Sequence, residues 1–493
     1  MSILPGINDD CALAVIAQLD KPSLAAVSQT SKLAFHAVGP YLVQDVALTR
    51  SEEQVLGFCR YVLAHNLANT VRHLYIDSPD TSVARLEYVS SATYSRFSNA
   101  LKPAQFASAL ADVLERTTKL ESLDLGVNVE ELIKCEPRVA PALIANPPSA
   151  KLRLLDVGKT AHLALRSLRS PPHLILGEDN GIHRPEGDTE VLRAALLEFL
   201  SANAERLRVI DLDEAIYKTL DQRALRFPNV EMITIPGLDM SMQTCARVFP
   251  SVRYFNNPMT GMSDHARSGQ HGPLWRDLRS AEGMGNIVVW LARHHPTVRR
   301  LHMWMQYGYR GTRDAFGQVC DVLRARPIVS LGMAVEIPDD DHNAPFSGQW
   351  LVQPHFEMGH FWPGLAAAIP QARFLHLCFR RPGSTYMTLE VLFAALTHET
   401  ISSLDALPDP RYVLLRYIGH MARADQARVH DSQGAFPSQE DVFSLWFSRI
   451  SSLEYHELDL KIWGWKRSWW RRQPLNDRPG KNPYGMHRRI IRV

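Results

Sequence analysis

The chain has 493 residues, enough for two or three compact domains or for one elongated array. Its 45% hydrophobic and 22% charged residues are ordinary for a globular protein, and Lys+Arg 54 against Asp+Glu 52 leaves a net charge of +2, no global footprint for nucleic acid or a membrane surface. The six cysteines, at positions 11, 59, 135, 245, 320 and 378, form no CxxC pair, and no apolar run approaches the roughly 18 residues of a spanning helix, so a reduced, cytoplasmic and/or nuclear setting is expected.

The first elements are helical. Asp9 or Asp10 can cap a helix through Ala12, Leu13, Val15, Ile16 and Leu19, and Asp20 can cap a second. Pro22 falls in the first turn of that second helix, where a missing N–H costs nothing. Leu24, Val27, Ser31, Ala34, Phe35 and Val38 then recur at helical spacing, predicting a compact pair of helices. The first helix is apolar nearly all round, and forty residues cannot bury such a helix alone. Either the segment behind it or a partner protein must cover the remaining face.

From residue 71 onward one pattern recurs: apolar, two variable residues, apolar, one variable residue, apolar. Its ten occurrences are Val71/Leu74/Ile76, Leu120/Leu123/Leu125, Leu152/Leu155/Val157, Leu207/Ile210/Leu212, Val230/Ile233/Ile235, Val298/Leu301/Met303, Ile328/Leu331/Met333, Ala372/Leu375/Leu377, Ile401/Leu404/Ala406 and Ile450/Leu453/Tyr455. Apolar residues two apart share one face of a strand, and the residue between them faces the other way. Helical periodicity precedes several units: Val55/Phe58/Val62/Leu63, Phe106/Leu110/Ala111/Leu114, Val191/Leu192/Ala195/Leu196/Phe199/Leu200, Phe316/Val319/Leu323 and Val391/Phe393/Leu396. Helix then strand, repeated, cannot bury its apolar side singly; stacked copies share a core. The irregular spacing suggests insertions at 79–104, 173–188, 259–285 and 338–354.

On these residues the chain resembles an irregular leucine-rich-repeat protein across roughly 50–460, although the asparagine usual after the third apolar residue is absent from most units, with Asn128 near that place once. The opening segment resembles an F-box: Leu4 and Pro5 match its first pair, Leu13, Ile16 and Leu19 its first helix, and Leu24, Val27, Ser28, Ser31 and Lys32 its Ser-rich helix. Gly6 and Ile7 look like a small insertion, and Phe35 stands where an aromatic, usually Trp, is found. The resemblance implies an α/β protein in three parts: a helical F-box-like module, 1–45; a curved leucine-rich-repeat solenoid, 46–460, with parallel strands inside and helices outside; and a basic Trp/Arg-rich tail or cap, 461–493. It also implies a non-catalytic role. The module, through Leu4, Pro5, Leu13, Ile16, Leu19, Leu24, Val27, Ser31 and Phe35, would bind a Skp-type adaptor of a cullin-based ubiquitin ligase, while the repeats hold a protein substrate. The competing reading is a leucine-rich scaffold without ligase recruitment.

Candidate sites follow from the outward strand positions Tyr75, Asp124, Asp156, Asp211, Thr234, His302, Gly332, His376, Asp405 and Glu454. Asp124, Asp156 and Asp211, flanked by Asp77 and Asp213, would make an acidic stripe for a basic substrate segment, with His302 and His376 further along. Trp304, Tyr307, Tyr309 and Arg310 cluster after the Val298 unit and read as packing under a loop. His294, His295 and His302 have no carboxylate at ligand spacing, and Asp339, Asp340, Asp341 and His342 read as an exposed loop. Gly283 and Gly285 form a partial GxG with no buried strand expected before it. With no GxSxG or HExxH present, neither an enzyme nor a cofactor is expected. In the tail, Trp463, Trp465, Trp469 and Trp470 lie among ten Lys and Arg, and the preferred reading is a cap. Neither membrane nor nucleic acid is an expected partner.

Overall fold

A computed structural model describes residues 8–49, 51–77, 101–178, 189–212, 216–217, 220, 225–235, 242–257, 273–306, 312–336, 364–380, 412–418, 453, 455–460, 468–472 and 490–492. They belong to two compact units, 1–269 and 270–493.

In the first unit eight strands lie side by side in chain order, each parallel to the last: β1 Asp45–Leu48, β2 His73–Asp77, β3 Ser122–Asn128, β4 Lys151–Val157, β5 His173–Glu178, β6 Val209–Leu212, β7 Met232–Thr234 and β8 Tyr254–Asn257. Parallel neighbours need a crossover. Among the described residues helices α1 Asp9–Ile16, α2 Lys21–Ser28 and α3 Lys32–Gln44 precede β1, and the crossovers carry α4 Glu52–Ala64, α5 Ala107–Arg116, α6 Val129–Cys135, α7 Val139–Ala145, α8 Lys159–Leu165, α9 Thr189–Asn203 and α10 Met242–Val248. Register aligns Leu74, Leu123, Leu152, Leu174, Ile210, Ile233 and Phe255 in one row, each at most 2% exposed. Each such side chain contributes roughly 1.5–3 kcal/mol by burial, so the row is the spine of the core.

The second unit repeats the scheme. Strands β9 Ser280–Met284, β10 Arg300–Gln306, β11 Ser330–Glu336, β12 Phe374–Arg380, β13 Tyr412–Ile418 and β14 Tyr455–Leu460 are parallel neighbours in order. Helix α11 Gly285–His294 follows β9, and α12 Thr312–Ala325 follows β10. Two antiparallel strands, β15 Ser468–Arg472 and β16 Ile490–Arg492, complete the ladder and take in Trp469 and Trp470 of the basic tail.

Seven of the ten sequence units stand in the expected frame. Two are shifted by three residues. In β4 the core pair is Leu152 and Leu154, which pair with Leu123 and Leu125, not Leu155 and Val157; in β14 the strand begins at Tyr455, the residue expected to end it. The Ile401 unit, the Val391 helix, and the proposed insertions over 79–100 and 338–354 lie outside the described residues. Five of the parallel strands went unread for chemical reasons. The first apolar place before β5 and β13 is taken by Pro171 and Pro410; β8 ends on Asn257; β9 offers only Ala281 and Gly283; and β1 issues directly from a helix. Segments 173–188 and 259–285 therefore contain strands, not insertions alone.

The N-terminal segment has three helices, not two. Asn8, rather than Asp9 or Asp10, caps α1, accepting the Asp10 N–H at 2.8 Å, while Asp20 caps α2 as expected, accepting from Ser23 at 3.0 Å. The second predicted helix breaks because Ser28 and Thr30 donate their hydroxyls to Ala25 and Val27 carbonyls, and Ser31 Oγ accepts the Ala34 N–H at 3.0 Å, starting α3 afresh. Asp45 both ends α3 and begins β1, so module and first repeat are continuous backbone.

Near the start of the second unit, Trp275 is 1% exposed and His295 fully buried, their ring centroids 5.9 Å apart, with His295 Nδ1–H donating to the Trp275 carbonyl at 3.2 Å. Burial lowers the imidazole pKa from 6.5 to about 4. An unfolded histidine takes up a proton that the folded one refuses, so this contribution is whole above pH 6.5 and drains away as pH falls toward 4. At pH 5 the loss is about 2 kcal/mol. His295→Phe is expected to flatten that part of the slope when urea midpoints are compared at pH 7 and pH 5; an unaltered slope would assign the acid sensitivity elsewhere.

Candidate functional site

The face opposite the leucine row carries the residues set between the core pairs. In the first unit register joins Ala47, Tyr75, Asp124, Arg153, Ile175, Asp211, Thr234 and Asn256. This is not an open acidic stripe. Asp124 is 5% exposed and its Oδ1 lies 3.0 Å from Arg153 Nη1; Arg153 is itself 2% exposed, and Asp77 Oδ2 lies 3.7 Å from the same nitrogen. The Tyr75 hydroxyl donates to Asp77, and a Cβ on Gly126 would fall 2.5 Å from Asp77 Oδ1, so the glycine makes room for that carboxylate.

Asp156 leaves the row altogether. It follows a register shift in β4 and has φ +50°, a left-handed conformation that aspartate tolerates better than most residues. Arg153 occupies the place assigned to it, because the strand's alternation runs from Leu152, one triplet earlier than the chosen frame. Asp211 keeps its place but is 9% exposed, between Ile175 and Thr234. Asp77, Asp124 and Asp211 are thus buried, and Arg153, the counterion of the first two, carried no signal in the sequence.

In the second unit the corresponding row is Glu282, His302, Gly332, His376, Leu414 and Glu457. His302 and His376 do come together, their ring centroids 5.4 Å apart. Glu282 Oε1 lies 3.6 Å from His302 Nδ1. Burial disfavours charge on both partners: the Glu282 carboxyl rises to about 7 and the His302 imidazole falls to about 3, helped down by His376. Glu282 carried no signal in the sequence, because its flanking core positions are Ala281 and Gly283.

The remaining candidates separate. His294 Nδ1–H donates to the Trp290 carbonyl within its own helix, away from buried His295. β9 does precede Gly285, contrary to expectation, and leads straight into α11. Trp304 sits in β10; Tyr307, Tyr309, Arg310 and 339–342 lie outside the described residues. Asn128 is a helix cap, accepting the Glu131 N–H at 2.8 Å. Among the described residues no three His, Cys, Asp or Glu side chains converge as a metal cage, and no helix is long and apolar enough to cross a membrane.

In the helical module, Leu4 and Pro5 lie outside the described residues. Ile16, Leu24 and Val38 form a closed core, against which Leu19 and Val27 pack half-buried. Ser31 is spent as a cap, and Phe35 meets Tyr61 and His65 of the first repeat edge-on, with centroids at 6.2 and 5.3 Å. Most of the residues expected to greet an adaptor therefore hold the module together. What faces outward is Val15, 47% exposed, and Leu33, 39% exposed, with Leu13 half-buried two residues before Val15.

No family model matches the chain, and no curated protein matches it. Among solved structures it is similar to the leucine-rich repeat-containing protein LegL7 from Legionella pneumophila, with 11% identity, 69% of this chain and 90% of that one covered, and a TM-score of 0.33. The repeat architecture described above stands on the chain's own strand register.

Proposed function

We propose that this chain is a non-catalytic receptor: α1–α3 dock a Skp-type adaptor of a cullin-based ubiquitin ligase, and the repeat face holds a protein substrate. The observation that carries the reading is the pair of large apolar side chains, Val15 and Leu33, left exposed on helices that have already closed their own core. Substrate contact belongs to exposed positions of each unit's own strand face, Met232 in the first, 37% exposed, and Phe374 in the second, 49% exposed, in place of buried Asp124 and Asp211. The opposing reading, a scaffold whose first helices merely cap the ladder, draws on the packing of Phe35 against Tyr61 and His65.

Co-purification with a Skp-type adaptor separates the two. The intact chain is expected to retain adaptor, and Val15→Asp/Leu33→Asp to lose at least tenfold of it with circular dichroism and thermal midpoint unchanged. Ile16→Asp is unsuitable, since charge on a fully buried residue would unfold the module. Failure of the intact chain to hold adaptor would establish the scaffold, and undiminished capture by the double variant would remove Val15 and Leu33 from the adaptor contact.

A further inference from the structure

His302, Gly332 and His376 occupy one register row on β10, β11 and β12. Strands lie about 4.8 Å apart, so residues two strands apart begin roughly 9.6 Å from one another at the backbone. Their rings meet only by leaning over the strand between. Gly332 permits this: a Cβ there would fall 2.5 Å from His302 Cδ2 and 2.9 Å from His302 Nε2, so the imidazole lies across the glycine. The two rings are tilted at 52° with centroids 5.4 Å apart, and both Nε2 atoms are withdrawn from solvent.

That separation is compatible with a shared ion as well as with ring packing. With metal–nitrogen bonds of about 2.0–2.1 Å and a tetrahedral angle, two imidazole centroids stand about 5.2 Å apart. On the far side of His302, Glu282 Oε1 lies 3.6 Å from Nδ1, beyond hydrogen-bond distance but near enough that closing on the Nδ1–H would leave Nε2 as the coordinating nitrogen. We infer that His302 and His376 form a two-histidine site for a divalent transition cation of the zinc class, with Gly332 giving the rings room and Glu282 orienting His302. Because both Nε2 atoms are buried in the metal-free pair, the rings must turn outward to admit the ion, and the remaining positions of the tetrahedron then fall to water or to a donor on a bound partner. Imidazole pairs suit Zn²⁺, Ni²⁺ or Cu²⁺ and not Mg²⁺ or Ca²⁺, whose ligands are oxygens.

The test uses the untagged full chain, titrated with Zn²⁺ by calorimetry and with Co²⁺ as a spectroscopic probe. One equivalent is expected to bind, undisturbed by excess Mg²⁺. His302→Ala and His376→Ala should each abolish that equivalent, and Glu282→Gln should weaken it 10- to 100-fold, as removal of an outer carboxylate does. X-ray absorption of the Co²⁺-loaded wild-type protein gives a readout independent of variant folding, with two imidazole nitrogens expected in the first shell. A shell of oxygens, the absence of stoichiometric binding, or binding unchanged in folded His302→Ala and His376→Ala would each overturn the site.

Discussion

Replacing Arg153 with methionine is expected to destabilise the first unit by about 3–5 kcal/mol, the penalty for leaving a buried charge without its counterion. Arg153 Nη1 stands 3.0 Å from Asp124 and 3.7 Å from Asp77, and all three residues are at most 5% exposed. In that low-dielectric setting the arginine offsets two carboxylates, and its substitution removes the counterion of both. Removing the whole cluster is a different matter: Asp77→Leu/Asp124→Leu/Arg153→Met should recover most of the loss, because desolvating the ions costs about as much as their attraction returns. Urea unfolding of the full chain, followed through the first unit's transition, measures both variants. A change below about 1 kcal/mol for Arg153→Met would show that water reaches the cluster. The result also bears on substrate capture. Asp124→Lys sets a second cation against Arg153 inside the sheet, so loss of binding in that variant would report unfolding and not recognition.

The strands were legible wherever the apolar triplet was chemically plain, as in Leu120/Leu123/Leu125, because a two-residue alternation has one reading when the residues between are polar. Lys151–Val157 defeated that rule, since Leu152, Leu154, Leu155 and Val157 admit two frames, and only pairing with Leu123 and Leu125 selects one. β9 was invisible for the opposite reason: alanine and glycine fill its core places, and what makes it a strand is β10 beside it. The helices were read by type but not by boundary. Ser31 looked like a small residue within a helix, whereas its hydroxyl takes the Ala34 N–H and starts a new one. The candidate site fared least well, because charge at alternate positions says which face a residue takes and nothing about which neighbour waits there. His302 and His376 were named one by one; Gly332, which lets them touch, acquires meaning only from the register.

Trp275→Ala is expected to cost about 3–5 kcal/mol, as truncation of a fully buried aromatic does. Residues 259–285 read in sequence as a surface insertion, and a tryptophan there would tolerate replacement within about 0.5 kcal/mol. The fold says otherwise: Trp275 is 1% exposed, its carbonyl accepts from His295, and Leu278 and Ala281, which follow it into β9, are fully buried. Urea unfolding monitored through the second unit decides between the two magnitudes, and Trp275→Phe, which keeps a ring against His295, should fall between them. The same substitution reaches the imidazole. A cavity at position 275 admits water beside His295, so the pKa now held near 4 by burial should climb back toward 6.5 and the acid-dependent loss of stability should shrink with it. A large destabilisation at pH 7 together with a flattened pH slope would identify Trp275 as the residue that seals this end of the second unit's core; a large destabilisation with the slope intact would leave the sealing to Leu278 and Ala281.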